Sequence, residues 1–279
     1  MTRRSWVQVV GAAGLTRVSV AQPIARKGRL KQAATRGCFG KGRTMEEIAR
    51  EAARLGLKGL DLIGEKDWPI LKKYGLLPTM APPAGHSLAD GINRQERHDE
   101  VEKPFREALV RAAEAGASNL IVLSGNRRGL PDEAGLEACA AFLGRVKALA
   151  EDRGITICLE LLNSKVNHPD YQCDHTAWGV EVMKRVGSPR VKLLYDIYHM
   201  QIMEGDIIRT IRQNIQYIGH FHTAGNPGRH EIDESQELNY RPIAQAIVDA
   251  GYTGYFAHEY GPLKDPLESM NRAIEICDV

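Results

Sequence analysis

Four residues in the second half of the chain carry side chains that bind cations and move protons, and each closes an apolar run. Glu160 follows Ile155-Thr156-Ile157-Cys158-Leu159, Asp196 follows Val191-Lys192-Leu193-Leu194-Tyr195, His222 follows Ile218-Gly219-His220-Phe221, and Glu259 follows Tyr255-Phe256-Ala257-His258. Three carboxylates and one imidazole cannot share a small space without a cation, because the uncompensated negative charge is costly. A divalent metal ion resolves the conflict. Oxygen-rich ligation with one nitrogen favours Mn²⁺, Mg²⁺ or Co²⁺ over zinc and leaves positions for substrate oxygens. The expected metal ligands are therefore Glu160, Asp196, His222 and Glu259. Strand alternation puts His220 on the same face as His222 but one layer deeper, in a supporting role, and turns His258 the other way. His199 lies just past the tip carrying Asp196, where a loop residue is placed to bind substrate.

Such tips line up only if the runs are neighbouring strands of one sheet. Near-continuous apolar runs read as parallel strands buried on both faces. Earlier strands are expected at 33–39, 58–63, 76–81 and 118–125. The segments between are amphipathic, beginning with a helix capped by Thr44 and Glu47, which form a capping box. Further helices are expected at 67–74, 94–115, 132–152, 177–186, 206–217, 240–249 and from 266 to the end. Eight βα units predict an α/β fold, a (β/α)₈ TIM barrel occupying residues 29–279 as a single domain, with its chemistry at the C-terminal strand ends. The rival is a doubly wound open sheet, which would more usually show a glycine-rich first turn; Gly37, Gly40 and Gly42 lack that spacing.

Composition narrows the function classes. Of 279 residues, 43% are hydrophobic and 26% charged, and the net charge of +2 comes without a dense basic block, so nothing points to nucleic acid or an anionic membrane. The five cysteines are scattered without a CxxC pair, which suits a fold completed with reduced thiols. Residues 1–28 are set apart as an N-terminal extension. Thr2-Arg3-Arg4-Ser5-Trp6-Val7-Gln8, a weakly apolar stretch and Val18-Ser19-Val20-Ala21 resemble a twin-arginine signal peptide, which implies periplasmic export. The alternative is an unprocessed extension on a cytoplasmic protein.

From Leu159 onward the chain resembles the hydroxypyruvate isomerases of the xylose-isomerase-like barrel superfamily. The resemblance is carried by Leu159-Glu160-Leu161-Leu162-Asn163, by Tyr195-Asp196-Ile197-Tyr198-His199-Met200-Gln201, by His222-Thr223-Ala224-Gly225-Asn226-Pro227-Gly228-Arg229-His230-Glu231 and by Ala257-His258-Glu259. It implies that Glu160 and Glu259 form the catalytic acid/base pair at the metal, with Asp196 and His222 completing the ligand set. It also implies a proton shift between adjacent carbons of a hydroxy-carbonyl compound through an enediolate, hydroxypyruvate to tartronate semialdehyde. His199 and Arg229 are then the substrate-binding residues, the guanidinium forking onto a carboxylate or hydroxyls. A ketose 3-epimerase would use the same residues on a longer sugar. A non-catalytic exported sugar binder would have no need of two proton-transfer glutamates. The superfamily's endonucleases, which resemble trinuclear zinc proteins, need more early histidines, whereas seven of the nine here fall at or after position 168. The expected partner is a small molecule, with self-association into a homo-oligomer left open.

Overall fold

The computed structural model describes residues 24–279; the proposed signal segment before residue 24 lies outside them. Eight parallel strands run in the order β3-β2-β1-β8-β7-β6-β5-β4. They are β1 (Lys31–Thr35), β2 (Gly59–Asp61), β3 (Leu77–Met80), β4 (Asn119–Val122), β5 (Thr156–Leu161), β6 (Val191–Asp196), β7 (Ile218–Thr223) and β8 (Tyr255–His258). The two outer strands meet at a single bridge, Ala81 to Leu120, where Ala81 N–H donates to Asn119 O at 2.8 Å and Ile121 N–H to Ala81 O at 3.2 Å. The sheet thereby closes into a TIM barrel.

The helices are α1 (Met45–Leu55), α2 (Trp68–Lys73), α3 (His98–Glu114), α4 (Asp132–Arg153), α5 (Thr176–Val186), α6 (Ile197–Met203), α7 (Ile207–Asn214), α8 (Tyr240–Asp249) and α9 (Pro266–Cys277). The Thr44–Glu47 capping box forms, and Gly56 ends α1 in the left-handed conformation. No helix among the described residues is long and apolar enough to cross a membrane. All five cysteines are free and buried.

Three departures from the expected boundaries have a visible cause; in addition the fourth strand stops at Val122 and the third helix starts at His98. The first strand stops at Thr35, because Arg36–Phe39 turn into a 3₁₀ helix. The second stops at Asp61, because Leu62 takes a φ of 58°. The third departure concerns 24–28, assigned by sequence to the extension. These residues run along the barrel: Ile24 N–H donates to Arg54 O at 2.9 Å, and Lys27 and Gly28 N–H donate to the Asp278 carboxylate at 2.9 and 3.1 Å.

His258 points away from the ligand layer, as alternation requires. Its Nε2 meets Gln32 Oε1 at 3.0 Å and its Nδ1 meets Thr223 Oγ1 at 2.9 Å, in full burial. Burial pushes its pKa down to about 3. Below about pH 6.5 the unfolded chain takes up a proton that the folded one refuses, so stability falls as pH drops from there toward 3. Between pH 6.5 and 5 the expected loss through this residue is about 2 kcal/mol. Urea unfolding of wild type and His258→Gln at both pH values checks it, since equal losses in the two proteins would exclude His258 as the source.

Candidate metal and proton-transfer site

The register of the C-terminal strands sets the site. Asp196 on β6 pairs directly with His222 on β7, which pairs with Ala257 on β8. Glu160 lies near the end of β5, and Glu259 directly follows β8, its N–H donating to Thr223 O at 2.8 Å. The expected four residues thus converge, with one ligand atom from each lying within 4.8 Å of all the others. His222 Nδ1 sits 3.5 Å from Glu160 Oε1 and 2.9 Å from Glu259 Oε2. An octahedral ion with bonds near 2.1 Å needs neighbouring ligand atoms roughly 3 Å apart.

The donor set fits a divalent ion on a second ground. Asp196 Oδ2 is buried without a hydrogen-bond partner, and the groups facing His222 Nδ1 are the carboxylates of Glu160 and Glu259. Buried polar atoms are almost always paired, so an orphaned carboxylate oxygen beside two further carboxylates and an imidazole nitrogen marks a place for a cation. Glu160, Asp196, His222 and Glu259 would hold the ion.

In the ion-free protein the surroundings drive the two glutamates apart. Burial raises the Glu160 carboxyl, against the pull of His222. Burial also works to raise Glu259, but His222 and Arg229 outweigh it and hold this carboxyl at about 2. Burial works against charge on His222 as well, yet Glu259, Asp61 and Glu160 push it well above the usual histidine value. Asp196 is raised by burial.

His199 stands in the first turn of α6, a short helix that begins straight after β6 and that periodicity did not reveal. Asp196 caps it, Oδ1 accepting from His199 N–H at 3.0 Å. His199 Nδ1 faces Asn163 Nδ2 at 2.6 Å, and Asn163 Oδ1 accepts from Val166 and Asn167 N–H at 3.0 and 2.8 Å. Those backbone donors fix which end of the Asn163 amide meets the ring, so Nδ1 accepts and Nε2 carries the proton. Burial holds this imidazole well below its usual value and thus neutral. Its Nε2 is otherwise unpartnered, 3.8 Å from Asp196 Oδ2, which leaves a donor for an oxygen beside the ion site.

Arg229 reaches the same point from the loop after β7. Its backbone takes a φ of 60°, an uncommon conformation for a residue with a Cβ, and is held by Arg229 N–H to Gly225 O at 2.9 Å and Gly261 N–H to Arg229 O at 3.0 Å. Glu231 anchors the loop, accepting from Leu263 and Lys264 N–H at 2.8 Å each. The Arg229 guanidinium pairs with Glu259 at 2.7 Å and lies 5.7 Å over the Tyr198 ring. A cavity of about 430 Å³ opens beside it, lined by Arg36, Asp61, Arg229, Glu259 and Tyr260 among others. A larger hollow of about 830 Å³ at the opposite end of the barrel, with Lys31, Arg153, Arg190 and Lys192 on its walls, has no carboxylate among its lining residues and lies far from this chemistry.

One residue of the site escaped the sequence reading. Asp61, at the tip of β2, is fully buried, and its Oδ2 meets His220 Nε2 at 2.6 Å and His222 Nε2 at 3.0 Å, while Thr79 Oγ1 donates to Oδ1. Gly59 permits this: a Cβ there would lie 2.2 Å from Leu77 O and 2.6 Å from Thr79 Cγ2, so β2 could not approach β3 closely enough. The available signal was an acid at a strand end, as at Glu160, masked because the run 58–63 continues apolar beyond it.

A family profile of xylose isomerase-like TIM barrels matches residues 49–277. The chain belongs to that family. It is 26% identical over 273 residues to the putative hydroxypyruvate isomerase of Homo sapiens, covering 95% of this chain and 86% of that one. To the 2-oxo-tetronate isomerase of Cupriavidus necator it is 32% identical over 169 residues, 58% of this chain and 63% of the relative. Among solved structures, one described as an AP endonuclease of family 2 from Brucella melitensis superposes with a TM-score of 0.75 at 26% identity, covering 86% of this chain and 96% of that one. With curated relatives named as isomerases, the chain is an isomerase of this superfamily.

Proposed function

We propose that this isomerase moves a proton between adjacent carbons of a short hydroxy-carbonyl acid, through an enediolate, at a divalent-ion centre. The observation that carries this reading is the pair Glu160 and Glu259, which flank His222 Nδ1 from two sides in environments that drive their proton affinities in opposite directions. Sites that place two titratable groups in contrasting surroundings are suited to acid/base work. Glu259, held ionised, takes the proton from the hydroxyl-bearing carbon, and Glu160 gives a proton to the neighbouring carbonyl carbon. The hydroxyl proton passes to the former carbonyl oxygen, and exchange with solvent returns both glutamates to their starting states. His199 donates from Nε2 to a substrate oxygen. Arg229 leaves Glu259 to fork onto the substrate carboxylate, which frees the base as substrate binds. A bound divalent ion supplies Lewis-acid stabilisation of the charge that develops on the carbonyl and hydroxyl oxygens.

The names of the relatives point to hydroxypyruvate or a four-carbon 2-oxo acid as substrate. Arg229 favours such an acid over a neutral ketose, since a guanidinium beside the base has no anionic partner on a sugar. The decisive assay follows deuterium from solvent into hydroxypyruvate, 2-oxo-tetronate and a panel of ketoses by proton NMR, with Mg²⁺ present and then chelated. Exchange into a short hydroxy-keto acid that stops on chelation is the expected result. No exchange into any of these compounds would sink the isomerisation mechanism, and exchange confined to ketoses would move the substrate to the epimerase class.

A further inference from the structure

Beneath the four ligands lies a buried chain of polar side chains that the proton-transfer mechanism does not use, Asn119, His220 and Asp61, which ends on His222, with Thr79 alongside. Buried polar groups are costly unless every member is satisfied, and here the donors and acceptors can be assigned one by one. Asn119 Nδ2 lies 2.9 Å from the main-chain carbonyl of Thr79, which can only accept, so the NH₂ end of that amide is fixed. The same nitrogen faces His220 Nδ1 at 3.2 Å, while Cys158 Sγ–H points to Asn119 Oδ1 at 3.7 Å. His220 Nδ1 must therefore accept, which leaves its proton on Nε2, aimed at Asp61 Oδ2 at 2.6 Å. Thr79 Oγ1–H occupies the other oxygen of Asp61. The same Asp61 oxygen also meets the second ring, His222 Nε2 at 3.0 Å.

We infer that Asn119, His220 and Asp61 form a tautomer relay that holds a proton on His222 Nε2 and so leaves Nδ1 as the nitrogen that binds the ion. The inference rests on the metal reading of His222. None of the three is among the four ion ligands, and they are positioning residues. Asp61, His220 and His222 could also be grouped as ligands of a second ion; the donor and acceptor assignment above pairs the same atoms by hydrogen bonds at 2.6 and 3.0 Å instead. Metal-binding histidines commonly donate their other nitrogen to a carboxylate, and loss of such a partner typically costs about 10- to 100-fold in metal affinity. What this chain adds is a third and fourth member, His220 and Asn119, whose hydrogen bonds fix which nitrogen donates to that carboxylate.

The test reads ring protonation directly. Long-range proton–nitrogen NMR of the ion-free, ¹⁵N-histidine-labelled protein should show His220 with a protonated Nε2 and an unprotonated Nδ1, and His222 with a protonated Nε2. On Mg²⁺ addition His222 Nε2 should keep its proton. His220 protonated on Nδ1, or His222 losing the Nε2 proton, overturns the relay in wild type, with no variant needed. Asp61→Asn should weaken Mn²⁺ binding by calorimetry about 10- to 100-fold. Unchanged Mn²⁺ affinity in Asp61→Asn also overturns the relay. Absence of Mn²⁺ binding to wild type would instead strike the metal reading, and the ion-free NMR result would still decide the relay.

Discussion

Replacing Glu259 by Gln lowers deuterium exchange into the substrate by about 10²- to 10⁴-fold, the range over which a positioned acid or base contributes. The amide keeps the size of the side chain but can neither carry the proton nor sit ionised against His222 and Arg229. In the ion-free protein Glu259 takes part in two close pairs, at 2.9 Å to His222 and 2.7 Å to Arg229, so the variant also frees the guanidinium. With Mg²⁺ in large excess to offset the lost ion ligand, binding of the substrate carboxylate should therefore survive while turnover collapses, a loss in kcat with little rise in KM. Proton NMR under single-turnover conditions measures the exchange, and circular dichroism checks the fold. Exchange at the wild-type rate would remove Glu259 from proton transfer.

Asp196→Asn separates ligand from scaffold more cleanly than any other single change. Asparagine is as good a helix cap as aspartate, so the bond from His199 N–H that starts α6 persists. The lost charge is the one that faces the ion through the orphaned Oδ2. Removal of a ligand should exceed the roughly 10- to 100-fold cost of losing an outer partner, so Mn²⁺ affinity is expected to fall by more than about 100-fold. At a Mn²⁺ concentration of 100 times the wild-type dissociation constant, wild type gains about 2.7 kcal/mol of stability, whereas the variant gains at most about 0.4 kcal/mol. The ion-free proteins should order the other way. Burial raises the Asp196 pKa, so above about pH 4 the unfolded carboxyl ionises more readily than the folded one, and its charge costs the folded state stability at neutral pH. The ion-free variant should consequently unfold at a urea concentration no lower than wild type. Undiminished stabilisation of the variant by Mn²⁺ would exclude Asp196 as a ligand.

What could be read in the sequence followed from how strongly each strand is buried. Glu160, Asp196, His222 and Glu259 each end a run apolar on both faces, so the break in pattern exposed them, and with them the barrel and the end at which its chemistry lies. Asp61 was hidden because its strand has only three residues and the apolar pattern carries on through Leu62 and Ile63 after the backbone has turned away. Helix α6 was hidden because it starts without any loop after β6, and its cap is the ligand Asp196 itself. Arg229 was placed at the substrate, and the structure pairs it with Glu259, a pairing across 30 positions that no local pattern encodes.

The single bridge between Ala81 and Leu120 makes the barrel a split ring: seven of its joints are strand pairings, and the eighth is a clasp. The four expected ion ligands sit on the unbroken arc from β5 to the end of β8, away from the clasp. Asn119 is part of that clasp, its side chain reaching across to Thr79 O from the strand on the other side. The same amide touches His220, so one side chain joins the seam that closes the barrel to the histidine pair at its centre.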